Sequence, residues 1–115
     1  MANQLKLATN QILIREGEHS SSMYWVQSGQ LIVTKKRGFE EVVLGHVYSG
    51  ELVGEISFLD KEARSATVKA MVDTELIEIP RETFENLFKT QPKWLEILVM
   101  TLAERLRKAN ARIKI

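Results

Sequence analysis

The chain has no cysteine among its 115 residues, which excludes disulfides, thiol catalysis and zinc–thiolate sites together. It has two prolines, Pro80 and Pro92, and no glycine after Gly54. Long apolar runs are missing too, so no segment has the length of a membrane span, and Met1–Leu5 lacks the apolar core of a secretory signal. From this a cytoplasmic location without membrane contact is expected. Charge of one sign is also lacking: the formal net charge is +1, which gives no overall pull toward nucleic acid or acidic lipid. The two histidines, His19 and His46, are too few for the roughly three-histidine-plus-carboxylate site of a cupin-type enzyme. What remains is an ordinary globular composition, with 44% hydrophobic and 27% charged residues, which argues against disorder and fits one domain.

The first 80 residues read as short strands. Gln11–Arg15, Met23–Gln27, Gln30–Lys35, Glu41–Val47, Thr67–Val72 and Glu75–Ile79 are rich in β-branched or large apolar residues. Turn signals separate them at Glu16-Gly17-Glu18, Ser28-Gly29, Arg37-Gly38, Ser49-Gly50 and Asp73-Thr74. From Pro80 the period changes to that of a helix, with Phe84, Leu87 and Phe88 on one face, and Pro92 then opens a longer helix toward the chain end. The expected fold is therefore α+β: an antiparallel β jelly-roll barrel followed by C-terminal helices, the last one long. Residues 1–79 form the β-roll and 80–115 the helices, within a single domain 1–115.

In the last helix Val99, Leu102, Leu106, Ala109 and Ile113 follow heptad spacing, the seam of a helix that pairs with another. A homodimer through residues 99–113 is expected, alongside packing of the same helix on the barrel. The basic run Arg105, Arg107, Lys108, Arg112 and Lys114 reads as a solvated helix face rather than a nucleic-acid surface. Trp25 and Trp94 are expected in the core, and Ser20-Ser21-Ser22 as a loop.

The chemistry concentrates between residues 50 and 67. Gly54 precedes the run Glu55-Ile56-Ser57, where a tight turn leaves amide groups at a helix start, a place that favours anions. Arg64 follows nine residues after Glu55, and its planar fork can take two phosphate oxygens where a lysine could not. Ser65 and Ala66 beside it are small, and the Ser65 hydroxyl adds a donor. A carboxylate such as Glu55 next to a phosphate needs another task, and accepting a hydrogen bond from a sugar hydroxyl is one. Outside this spacing Glu55 and Arg64 would be a surface ion pair of little consequence.

Gly54-Glu55 and Arg64-Ser65-Ala66-Thr67-Val68 resemble the phosphate-binding cassette of cyclic-nucleotide-binding domains, the family of the catabolite activator protein and of the regulatory subunits of cyclic-AMP-dependent protein kinase. The likeness continues through Glu16-Gly17-Glu18, Met23–Leu31, Val43-Leu44-Gly45 and Ile79–Phe84. It implies a ligand-binding set of Gly54, Glu55, Ile56, Ser57, Arg64, Ser65 and Ala66, with Arg64 on the cyclic phosphate and Glu55 on the ribose 2′-hydroxyl. It places Arg105 and Asn110 of the last helix at the base, and Val33 and Ile14 along it. Serine at position 65 leans toward cAMP over cGMP, whereas Ala109 lacks the hydroxyl that would support adenine. No metal and no catalytic residue are implied. The chain reads as a cAMP sensor that relays binding through its last helix to a partner subunit or to a fused or separate effector domain. Three alternatives stay open: a ligand-free fold that only dimerises or docks, a cupin-like enzyme, and a pocket for another nucleotide such as a cyclic dinucleotide.

Overall fold

The computed structural model describes residues 3–19 and 21–112, with the backbone alone at positions 60 and 110–112. Ser20 and the seam residue Ile113 lie outside the described residues. Two four-stranded antiparallel sheets pack face to face and helices follow them. The first sheet has the order β1 (Asn3–Leu7), β8 (Thr74–Pro80), β3 (Ser22–Ser28), β6 (Leu52–Val53). The second runs β2 (Ile12–Ile14), β7 (Thr67–Ala70), β4 (Gln30–Arg37), β5 (Glu40–Tyr48). Among the described residues there are three helices: α1 (Glu55–Asp60), α2 (Arg81–Phe88) and α3 (Lys93–Arg112). The expected α+β order is observed, strands first and helices last.

The side-chain alternation of the strands builds the core. Val26 of β3, Leu31 of β4, Ala70 of β7 and Leu76 of β8 are fully buried between the sheets, and Leu7, Ile14, Val53 and Val68 complete the cluster. Five of the six glycines have positive φ, among them Gly29 at +96°, which turns β3 into β4. A side chain at Gly29 would run into Thr74 and the Asp73 carbonyl. The turn at Asp73 is tied to the β1–β2 connection, because the Thr9 amide and hydroxyl both donate to Asp73 Oδ1 at 3.0 Å.

Two strands escape a sequence reading. In β1, Leu5 and Leu7 are the apolar members of Asn-Gln-Leu-Lys-Leu, and the strand is held by pairing with β8 along its full length. The β6 strand is two residues long, set by the pairs Tyr24–Val53 and Trp25–Leu52. Both tryptophans also depart from the expectation of burial: Trp25 is 42% and Trp94 64% exposed. Trp25 sits between Leu52 and Ile77 in the ladder, on the face opposite the core residues Tyr24 and Val26, and Trp94 lies in the first turn of α3.

The helices close over one end of the sheets. Phe58 of α1 is fully buried and meets Phe84 edge-on at 5.1 Å between centroids, and Phe84 in turn meets Phe88 at 4.6 Å. The Arg81 guanidinium lies 4.8 Å from the Phe58 ring centroid. α3 packs mainly against α1, with Ala103 buried at the contact. The expected seam divides: Val99 is half-buried, whereas Leu102, Leu106 and Ala109 are exposed. Together with Trp94 and Leu98, Leu102 and Leu106 form an open apolar stripe, each 47% to 64% exposed. Among the described residues no helix is long and apolar enough to cross a membrane.

Candidate functional site

Arg64 is the centre of the site because it is held at both ends. Its backbone is locked into the Glu16-Gly17-Glu18 turn: the Arg64 amide donates to the Glu18 carbonyl at 2.7 Å, and the Gly17 amide donates to the Arg64 carbonyl at 2.9 Å. Its side chain turns inward and is buried. Nη1 donates to the Gly54 carbonyl at 2.8 Å and to the Ser57 hydroxyl at 2.9 Å. Nη2 donates to the Ser22 carbonyl at 2.6 Å. Burial lowers the guanidinium from its usual pKa, and Tyr24, Glu55 and Glu18 pull it back up. A buried cation with fixed donors and a carboxylate in electrostatic reach is a place built to meet an anion.

The cassette wraps around that side chain. Gly54 adopts φ +77°, ψ 14°, a left-handed conformation that starts α1. A Cβ there would overlap Arg64 Nη1 and press on the guanidinium carbon and on Ile14, so glycine is required by both backbone and space. The Phe58 amide makes the first helical bond, to the Gly54 carbonyl at 3.2 Å. The amides of Glu55, Ile56 and Ser57 consequently have no acceptor within the helix. Lys61 ends α1 in a left-handed conformation, its amide bonded to the Ser57 carbonyl.

These elements enclose a cavity of about 210 Å³. Of the residues expected at a ligand, Val33, Gly54, Glu55, Ile56, Ser57, Arg64, Ser65 and Ala66 all line it, and so does Ile14. Four residues outside the expected ligand-binding set, Val47, Leu52, Val53 and Val68, form the rest of its apolar wall. The signal that could have found Val47 and Val68 is alternation along the strands that pair with β4 at Val33. The cavity therefore has a charged, amide-rich end and an aliphatic end, suited to a molecule with an anionic group on an apolar body.

The structure does not bring the last helix to this cavity. Arg105 is exposed on α3 and does not line it, and the Asn110 side chain lies outside the described residues. α3 rests on α1 instead, so the α3 residues near the cassette are those packed on that helix. A larger groove of about 1110 Å³ lies between α1, α2 and α3, floored by Phe58, Phe84, Phe88, Ile97 and Met100. None of the expected site residues line it. Among the described residues no group of three or more histidine, aspartate or glutamate side chains could hold a metal ion.

Comparison with known proteins adds an independent line. A family model described as the cyclic nucleotide-binding domain matches residues 4–91. The cyclic AMP receptor protein of Thermus thermophilus is 35% identical over 99 residues, covering 85% of this chain and 46% of that protein. Lysophospholipase nte1 of Aspergillus fumigatus is 32% identical over 104 residues, covering 90% of this chain and 7% of that protein. The cAMP-bound form of the EAL enzyme Bd1971 superposes with a TM-score of 0.85 at 26% identity, over 97% of this chain and 30% of that one. The same enzyme is known in a cGMP-bound form, with a TM-score of 0.82 at 25% identity, over 96% of this chain and 30% of that one. The chain thus spans less than half the length of the curated relatives it matches.

Proposed function

The chain belongs to the cyclic nucleotide-binding domain family, and from that premise we propose that its cassette, residues 50–67, binds a cyclic mononucleotide, cAMP ahead of cGMP. The observation that carries this reading is the convergence of Gly54, Glu55, Ser57 and Arg64 on one cavity whose other walls are aliphatic. Arg64 and the first-turn amides of α1 take the cyclic phosphate. Glu55 accepts the ribose 2′-hydroxyl, and a deoxyribose analogue would leave that half-buried carboxylate without its partner. Ile14, Val33, Val47 and Val68 pack against sugar and base. Ser65, at the cavity rim, favours cAMP.

Ligand binding is relayed when Arg64 exchanges an internal acceptor for phosphate. Two of its acceptors, Gly54 and Ser57, frame α1, and α1 carries α3. The output is a shift in α3 that reaches a partner subunit or an effector domain. A second copy covers the stripe Trp94, Leu98, Leu102 and Leu106, giving a homodimer. Arg105 and Asn110 reach the base only when α3 shifts toward the cavity or a second copy's α3 lies over it. The domain is regulatory, carries no catalysis of its own, and works in the cytoplasm without metal, membrane or direct nucleic-acid contact. Ligand-free docking through the same stripe is the second reading, favoured by its exposure.

Thermal unfolding with each nucleotide separates these readings. A ligand at 100 times its dissociation constant stabilises the fold by about 2.7 kcal/mol. We expect cAMP to raise the melting temperature by several degrees, cGMP to do so at higher concentration, and a cyclic dinucleotide to leave it unchanged. No shift with any of the three supports the docking role.

A further inference from the structure

The side chains that hold Arg64 extend beyond the cassette to a carboxylate on the far sheet. We infer that Glu78 of β8 is a positioning residue for the anion site, acting through Ser22 to aim the carbonyl that fixes Arg64 Nη2. The inference rests on the reading of Arg64 as the phosphate ligand.

The strand register explains the arrangement. The Arg81 amide donates to the Ser21 carbonyl at 2.8 Å, which makes positions 21 and 81 a hydrogen-bonded level of the β3–β8 ladder. By the alternation of antiparallel pairing, the next level, Ser22 opposite Pro80, is not hydrogen-bonded. The Ser22 carbonyl accordingly points away from β8, and Pro80 costs the ladder no donor. On that outer side β6 pairs only with Tyr24 and Trp25, so no strand reaches Ser22. Arg64 Nη2 supplies the donor at 2.6 Å. Ser22 thus opens β3 with its carbonyl turned out of the β3–β8 ladder toward Arg64.

Glu78 holds the side chain of the same residue. Tyr24 and Glu78 are directly opposed in the register, so Ser22 is a diagonal neighbour of Glu78 on the same face of the sheet. The Ser22 hydroxyl donates to Glu78 Oε2 at 2.9 Å. Ser22 is 6% exposed and Arg64 7%, so the chain Glu78–Ser22–Arg64 runs largely out of water, where each bond is electrostatically stronger. Tyr24 stands beside it: burial raises its phenol pKa, Glu78 raises it further and Arg64 lowers it. The result divides labour within one guanidinium. Nη2 is fixed to the first sheet, while Nη1, on Gly54 and Ser57, is bonded to the cassette that a ligand rearranges.

The test uses the full chain with isotope-labelled arginine and four variants: Ser22→Ala, Glu78→Ala, Glu78→Gln and the double Ser22→Ala/Glu78→Ala. Without nucleotide, wild type should show slowly exchanging Arg64 Nη protons. Ser22→Ala and Glu78→Ala should broaden or lose the Nη2 signals, and Glu78→Gln, which keeps an acceptor, should restore them. With cAMP, each alanine variant should bind about tenfold more weakly, and the double variant no more weakly than either single one. Unchanged Arg64 signals in Glu78→Ala, or independent and multiplying losses in the double variant, would overturn the inference. If wild type binds neither cAMP nor cGMP, the phosphate reading fails, and the ligand-free spectra still decide the positioning role.

Discussion

At the scale of single residues, the site is a matter of how one buried cation is satisfied. The Arg64 guanidinium is bonded to Gly54, Ser57 and Ser22, which keeps it formed and aimed before any ligand arrives. Gly54 tolerates this because it has no side chain at the point where Nη1 approaches. Gly54→Ala should therefore cost about 1–2 kcal/mol from the left-handed backbone alone, and more from displacing Arg64. Urea unfolding will read the stability loss, and cAMP titration should show a larger loss of affinity than of fold. Gly54, Glu55 and Arg64 were legible from the sequence because the spacing of a glycine, a carboxylate and an arginine is local. The partners of Arg64 were not. Ser22 lies 42 residues away and offers its carbonyl, a group every residue has, so nothing in its identity announces the contact. Lys61 adopts positive φ for the same kind of reason: the surrounding structure imposes a conformation that its residue type does not signal.

At the scale of elements, α1 is the hinge of the account, although it is six residues long. A helix this short is not stable by itself and is held by Phe58, which is fully buried against Phe84 and beneath Arg81. Phe58→Ala should destabilise the domain by about 3–5 kcal/mol, measured by denaturant unfolding, and should loosen α3 together with the cassette. α3 presents the opposite case, an element whose buried face is narrow and whose outer stripe is open. Leu102→Glu combined with Leu106→Glu should leave the monomer folded, since both residues are about half exposed. Analytical ultracentrifugation should then show a wild-type dimer and a variant monomer. Equal masses would mean that the stripe does not pair with a second copy. The heptad spacing identified this helix and two of the four stripe residues, Leu102 and Leu106. It could not show that Val99 turns inward while Trp94 and Leu98 complete the outer face, because the assignment of a helix face depends on what α1 occupies. The strand β1 was hidden for a related reason: its pairing with β8 provides the stability that its own polar residues do not signal.

At the scale of the whole molecule, the proposed relay takes the two sheets as the frame and the helices as the part that moves. Arg64 bridges them, with its backbone on the early turn and Nη2 on the first sheet, while Nη1 holds the cassette. The overall order of strands and then helices was legible because turn glycines punctuate the first half and the apolar period changes after Pro80. The closure of the cavity was not, because its aliphatic wall draws Val47, Leu52, Val53 and Val68 from strands that meet only in three dimensions. In that proposed relay, a ligand that takes Nη1 from Gly54 and Ser57 would free the start of α1 and, through it, α3. The most direct measurement is isothermal titration of cAMP into wild type, Arg64→Ala and the control Lys89→Ala, whose side chain lies on the far groove. We expect saturable binding by wild type and by Lys89→Ala, and at least about 100-fold weaker binding by Arg64→Ala, the cost of losing a charge-assisted bidentate contact. Binding of equal strength by Arg64→Ala and wild type would contradict it.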